Sequence, residues 1–182
     1  LINATVNLDQ AAHTPVVYHL YRVSLEGGEP KQGTDSADWS CTSPQFSADG
    51  KWLYCSVSPE NDLVYNHNDI GRFKWKKRGT LGQPELLTAG FDRSPGDFDL
   101  SVAGETVYFT AADAGRSRVF SVTASGGDVT MLDPGCRGVY AGIQAAGGQL
   151  VARWENSATP AEVVRVNPQG GHEALSAFNT ER

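Results

Sequence analysis

Leu20-Tyr21-Arg22-Val23-Ser24-Leu25-Glu26-Gly27-Gly28 is the stretch that decides the fold. A short strand-forming run ends in a glycine pair, the composition of a strand that turns back on itself. The pattern returns as Phe73-Lys74-Trp75 running to Gly82, as Val119-Phe120-Ser121-Val122 running to Gly126-Gly127, and as Val163-Val164-Arg165-Val166 running to Gly170-Gly171. The closing glycines stand at 28, 82, 127 and 171, in steps of 54, 45 and 44 residues. A second hairpin runs in step with the first. Phe46-Ser47-Ala48-Asp49-Gly50-Lys51-Trp52-Leu53-Tyr54 is matched by Leu100 to Tyr108 and, more loosely, by Ile143 to Val151. Two interleaved hairpins every ~45 residues is the spacing of four-stranded propeller blades.

The expected fold is therefore all-β, a partial propeller of about four four-stranded antiparallel blades. Residues 1–34 read as an incomplete or irregular blade. The others cover about 43–88, 94–132 and 140–175, and 176–182 reads as a linker. An Asn- and Asp-rich insertion from Ser58 to Ile70 accounts for the longer first step. Period-two stretches are frequent, and no sustained helical stripe appears. In each inner hairpin a turn such as Asp49-Gly50 supplies the positive φ that a tight reversal needs. Trp52, Leu53 and Tyr54 then enter a strand expected to be packed on both faces. A single blade cannot bury both of its faces alone, so blades must stack.

Forty per cent hydrophobic residues suffice for a core, and 20 glycines with nine prolines suit a turn-rich β protein. A formal net charge of -6 argues against a nucleic-acid partner, which would need a basic face. No apolar run reaches the ~20 residues of a membrane helix, so no membrane partner is expected. The chain opens at Leu1-Ile2-Asn3, without Met and mid-pattern. It reads as a piece of something longer, and the compartment, periplasmic or cytoplasmic, stays open.

Signals of chemistry are few. There is no G-x-S-x-G, H-E-x-x-H, P-loop or G-x-G-x-x-G. His13, His19, His67 and His172 are scattered and read as surface or loop residues. Cys41, Cys55 and Cys136 lack metal-ligand spacing and read as small buried apolar side chains. Cys41 and Cys55 flank the Asp49-Gly50 turn at unequal offsets, so a disulfide between them is the less favoured alternative. Arg72-Phe73-Lys74-Trp75-Lys76-Lys77-Arg78 resembles a base-stacking patch but reads better as a half-buried outer strand, aromatics in and cations out. Asp62, Asp69, Asp92, Asp97 and Asp99 could gather as a carboxylate cluster at a blade mouth, although solvated turns explain them as well. Asn3-Ala4-Thr5 fits the glycosylation triplet, a pattern that also arises by chance. No catalytic, cofactor-binding or metal residue is assigned, and no cofactor is expected.

A family resemblance rests on three segments. Ser43-Pro44-Gln45-Phe46-Ser47-Ala48-Asp49-Gly50-Lys51-Trp52-Leu53 resembles the P-x-F-S-x-D-G-K signature of TolB-like and dipeptidyl-peptidase blades. Leu20 to Val23 with Gly27-Gly28-Glu29-Pro30 resembles their outer hairpin. Ser157-Ala158-Thr159-Pro160-Ala161-Glu162-Val163-Val164, followed by Leu175-Ser176-Ala177-Phe178-Asn179, is similar to the closing propeller segment of prolyl oligopeptidase family serine peptidases, in their acylaminoacyl- and dipeptidyl-peptidase branches. The resemblance implies the C-terminal part of a larger propeller, non-catalytic, gating short peptides toward an α/β-hydrolase domain that would follow Asn179. It places no triad residue in this chain, since no position matches one. The rival expectation is a free-standing TolB-like propeller for protein–protein interaction. A sugar-active propeller enzyme is the weakest reading. An open ring would leave blade faces uncovered, and self-association of the chain is the expected consequence.

Overall fold

The computed structural model describes residues 1–5, 16–34, 38–61, 63 and 65–179. His13 and Asp62 lie outside the described residues. Fifteen strands and no helix form among the described residues, and they make four antiparallel sheets in chain order. The first sheet holds β1 (Ile2–Thr5), β2 (Tyr18–Arg22) and β3 (Lys31–Gln32). The second holds β4 (Trp39–Phe46), β5 (Trp52–Pro59), β6 (Asp69–Lys74) and β7 (Glu85–Leu86). The third holds β8 (Pro95–Leu100), β9 (Thr106–Asp113), β10 (Arg116–Thr123) and β11 (Thr130–Met131). The fourth holds β12 (Val139–Ala146), β13 (Gln149–Glu155), β14 (Glu162–Val166) and β15 (His172–Ala174). Every sheet is a meander whose neighbours in sequence are neighbours in space. The first sheet has three strands where the others have four; its β2–β3 hairpin, turning at Gly27-Gly28, corresponds to the last hairpin of each of the others.

The turns obey local chemistry. Gly50 sits at φ 67°. Ser47 Oγ donates to Asp49 Oδ1 at 2.7 Å, and Lys51 N donates to the same oxygen at 3.0 Å. The Ser47 hydroxyl, followed by the Lys51 amide, holds the Asp49 carboxyl down at about 2. The insertion expected from Ser58 to Ile70 is shorter than that. β5 continues to Pro59 and β6 starts at Asp69, because Ser58 pairs with Ser40 and Ile70 with Ser56. The remaining loop is tied by Asn66 Nδ2, which donates to the Pro59 carbonyl, to Leu63 O and to Asn61 Oδ1.

The chain divides into two compact units, Leu1–Leu86 and Leu87–Arg182. In the first, Leu20, Cys41, Leu53, Cys55, Val57, Phe73 and Leu81 form one buried cluster. In the second, Val119, Leu132, Tyr140, Ile143, Leu150, Val164 and Val166 are among those forming another, and Phe91 meets Phe109 and Phe120 edge-on. β6 turns Phe73 inward and Lys74 outward, with Trp75 half-buried after it. Arg72 is the exception to cations outward: it is half-buried, over the Trp52 ring at 4.1 Å and ion-paired to Glu85 at 2.6 Å.

Cys41 and Cys55 are both fully buried and both free. The ladder sets Cys41 opposite Val57 rather than Cys55. A hydrogen bond between the two thiols, reinforced by burial, pushes the Cys55 thiol far up from its ordinary value, so it stays protonated.

Candidate functional site

The first strand of each four-stranded sheet carries a β-bulge, between Thr42 and Gln45, Pro95 and Phe98, and Ala141 and Gln144. A bulge frees backbone N–H groups from the ladder. In the second unit two carboxylates of β8 take up N–H groups of β12, one of them at its bulge. Asp97 Oδ2 accepts from Gly142 N at 2.8 Å, at a bulge residue held at φ 61°. Asp99 Oδ2 accepts from Ala145 N at 2.8 Å. These two acids are thus hydrogen-bonded ties from β8 to β12. Asp92 is ion-paired to Arg93, which also reaches Asp113 at 2.9 Å. Asp69 lies in the first unit, on β6. Among the described residues no three His, Cys, Asp or Glu side chains gather as metal ligands. Asn3 Nδ2 donates to the Cys41 carbonyl, so the amide of the Asn3-Ala4-Thr5 triplet is engaged within the fold.

A cavity of about 800 Å³ opens in the second unit, where turns of the third and fourth sheets meet. Val102, Tyr108, Ala145, Leu150 and Val166 make its wall largely apolar, and His172 stands on it. Behind His172 runs a buried polar chain. Tyr140 Oη donates to Asp133 Oδ2 at 2.7 Å and lies 2.7 Å from His172 Nδ1. With its proton committed to Asp133, the phenol oxygen accepts from the histidine, which fixes the Nδ1–H tautomer. Burial, then the hydrogen bond to Asp133, pushes the Tyr140 phenol far above its ordinary value. Burial lowers His172 below 6.5, outweighing the opposing pull of Asp133. The Trp154 ring lies 4.5 Å from the imidazole. Ser101, the hydroxyl on the cavity wall, already accepts from Glu105 N and Thr106 N. The arrangement offers shape and a held imidazole.

A histidine held neutral by burial makes stability rise with pH. The unfolded chain binds the proton below about 6.5 and the folded chain does not. This contribution is complete above 6.5 and lost as pH falls below it. Replacing His172 by Gln is expected to flatten the slope of unfolding free energy between pH 7 and 5, measured in denaturant titrations at several pH values.

The last segment is fastened by one carboxylate. Glu162, at the start of β14, is 8% exposed. It accepts from Ser176 Oγ, from Phe178 N at 3.1 Å, from Asn179 N at 2.9 Å and from Asn179 Nδ2 at 3.1 Å. Asn179 Nδ2 also donates to the Ala161 carbonyl at 3.2 Å. The Ser176 hydroxyl is the main cause that lowers the Glu162 carboxyl below its ordinary 4.5, with the Phe178 and Asn179 donors adding to it. Four donors on one carboxylate make a clamp that works only when ionised. Because the folded value is the lower one, the clamp is complete above 4.5 and is lost as pH falls through the folded value. Amide exchange at Phe178 and Asn179, taken relative to its intrinsic rate at each pH, is expected to accelerate on acidification. A Glu162→Gln chain should show that fast exchange already at pH 7.

No family model matches the chain, and no curated protein sequence does. Solved structures do match it. The β-propeller domain of the trilobed protease from Pyrococcus furiosus is 16% identical over 97% of this chain and 49% of its own, with a TM-score of 0.67. This chain is a segment of a β-propeller. Pyrococcus horikoshii acylaminoacyl peptidase aligns over 100% of the chain and 28% of its own, at 15% identity and a TM-score of 0.65. TolB from Acinetobacter baumannii aligns over 88% of the chain and 38% of its own, at 18% identity and a TM-score of 0.58. The propeller segment therefore spans about half of the protease propeller domain and little more than a quarter of the acylaminoacyl peptidase.

Proposed function

We propose that this segment is part of the non-catalytic propeller of a serine peptidase of the prolyl oligopeptidase family, and that in the intact protein it gates the access of short peptides to an α/β-hydrolase domain. The observation that carries the reading is the Glu162 clamp. The closing motif pairs a Pro-x-Glu with a later Asn, and here Glu162 and Asn179 are bonded to each other. That bond sets the direction in which the chain leaves the fourth sheet, at the point where the resemblance puts the hydrolase. Peptidase propellers also recur among the structural matches, including acylaminoacyl peptidases and prolyl endopeptidases. The chemistry of gating is exclusion: stacked sheets leave an opening that an extended peptide can thread and a folded protein cannot.

The experiment has two arms. The gene is read past Arg182 for G-x-S-x-G with later Asp and His, and a fluorophosphonate probe is applied to the full-length product and to residues 1–182 alone. The full-length protein is expected to label stoichiometrically and the segment not at all. A stop codon or further blades in place of the hydrolase, or labelling of the segment itself, overturns the proposal. The likeness to TolB favours a second reading, a propeller that binds protein partners without a hydrolase, and the stop codon is the outcome it expects.

A further inference from the structure

The last hairpins of the second and fourth sheets are closed by cross-strand ion pairs. Arg72 stands opposite Glu85, with the charges 2.6 Å apart. Arg165 stands opposite Glu173, with the charges 3.1 Å apart. The first sheet places Arg22 in the same relation to its partner strand, and there the residue opposite is Lys31. Like charges directly across a ladder destabilise it. Arg22 has no carboxylate partner among the described residues, and its Nε and Nη2 are buried without a hydrogen-bond partner. Its guanidinium lies over the Trp75 ring at 4.6 Å, which fixes its plane and satisfies none of its N–H groups.

Arg22 lines a cavity of about 680 Å³ in the first unit. Lys31, Lys77 and Arg78 line the same cavity, and none of them is ion-paired among the described residues. Among the described residues Glu29 is its single carboxylate. Four cations thus face one acid in a chain whose net charge is -6. Part of the wall is backbone: a side chain added at Gly27, Gly28 or Gly79 would meet nothing within 4 Å.

We propose that this cavity binds the phosphate group of a small molecule. A half-buried guanidinium with two unsatisfied nitrogens and no carboxylate partner costs free energy unless a counter-charge lies near it. A phosphate offers enough acceptor oxygens for the Arg22 charge and for two further cations, whereas one carboxylate saturates on a single arginine. The cavity falls within the size of small-molecule sites and exceeds a bare phosphate, so the anion is a group on a larger ligand. The missing acidic partner of Arg22 is the design feature: the place that Glu85 and Glu173 fill in their own sheets is left for the ligand.

The test uses the whole 182-residue chain with inorganic phosphate as probe. Melting temperatures are compared in phosphate, acetate and chloride at equal ionic strength, and phosphate affinity is measured by titration calorimetry. Phosphate is expected to raise the melting temperature above both other salts, since a ligand that binds only the folded state stabilises it. Lys31→Glu installs opposite Arg22 the carboxylate found in the second and fourth sheets. It should keep the fold and weaken phosphate binding by at least about tenfold, as expected when a contact of the bound anion reverses its charge. Should that variant fail to fold, the exposed turn change Lys77→Gln carries the expectation, with binding weakened about threefold or more. Phosphate acting no better than acetate, or variants that bind phosphate as the parent does, overturns the proposal.

Discussion

Leu53→Ala is expected to lower the stability of the chain by about 2–5 kcal/mol, the range for truncating a buried leucine. Leu53 is fully buried. It stands on β5 between Phe46 and Phe73 on the flanking strands and belongs to the core of the first unit. β5 has a strand on each side and its residues are buried on both faces, with Tyr54 and Cys55 following Leu53 into the interior. A cavity there can close only by moving backbone that the ladder holds, so little relaxation is available. Lys51→Ala, two residues earlier in the same hairpin, should change stability by no more than ~0.5 kcal/mol. The Lys51 side chain is 75% exposed, and its 3.0 Å pair with Asp49 is a surface pair of small worth. Denaturant midpoints of the two variants check the contrast. Equal shifts would mean that the inward phase of β5 is assigned wrongly.

That contrast could be written from the sequence because a hairpin announces itself locally. Asp49-Gly50 has to turn, and period-two alternation then assigns each following residue to a face. The doubled glycines at 27–28, 126–127 and 170–171 work in the same way: all six adopt positive φ. Repetition of such local signals is what made an all-β array of four sheets legible before any contact was known. The Glu162 clamp was legible for another reason. Glu162, Ser176 and Asn179 belong to the two segments that carry the family resemblance, and they are bonded together in space.

What escaped the sequence depends on contacts between residues far apart along the chain and on strand register. Asp97 and Asp99 looked like candidates for a carboxylate cluster. Their partners are backbone N–H groups some 45 residues on, at Gly142 and Ala145, and a backbone donor has no letter in the sequence. The Asp133–Tyr140–His172 chain joins a loop, an inner strand and an outer strand of one unit, and no short spacing links the three. His172 was grouped with the scattered histidines for that reason. Arg22 belongs to a repeating hairpin, where its likeness to Arg165 hides the difference that matters. The residue across the ladder changes from Glu173 to Lys31, and register is set by the turn rather than by the strand that carries the arginine.

Gly138→Ala is expected to cost stability at the upper end of the about 1–3 kcal/mol typical of overpacking. No unusual φ is involved at this position; space alone decides. A Cβ at Gly138 would lie 2.6 Å from Trp154 Nε1, 2.7 Å from Trp154 Cε2 and in direct collision with the Glu155 carbonyl oxygen. The carbonyl belongs to β13, where Glu155 pairs with Val139, so it cannot swing aside without opening the end of the β12–β13 ladder. The indole is no easier to displace. Its ring packs on the core of the second unit and on His172, which is hydrogen-bonded in turn to Tyr140. Gly135→Ala, in the same turn, is the control. Its added Cβ would sit 3.7 Å from Asp133 Oδ1, an ordinary contact, and the change should stay within ~0.5 kcal/mol. Adding Trp154→Leu to Gly138→Ala should restore only part of the loss, because it removes the side-chain clash and leaves the one with the backbone. Urea midpoints of the two single variants and the double variant decide the matter. Full recovery in the double variant would show that β13 shifts readily and that the close approach of Gly138 to the strand is no constraint.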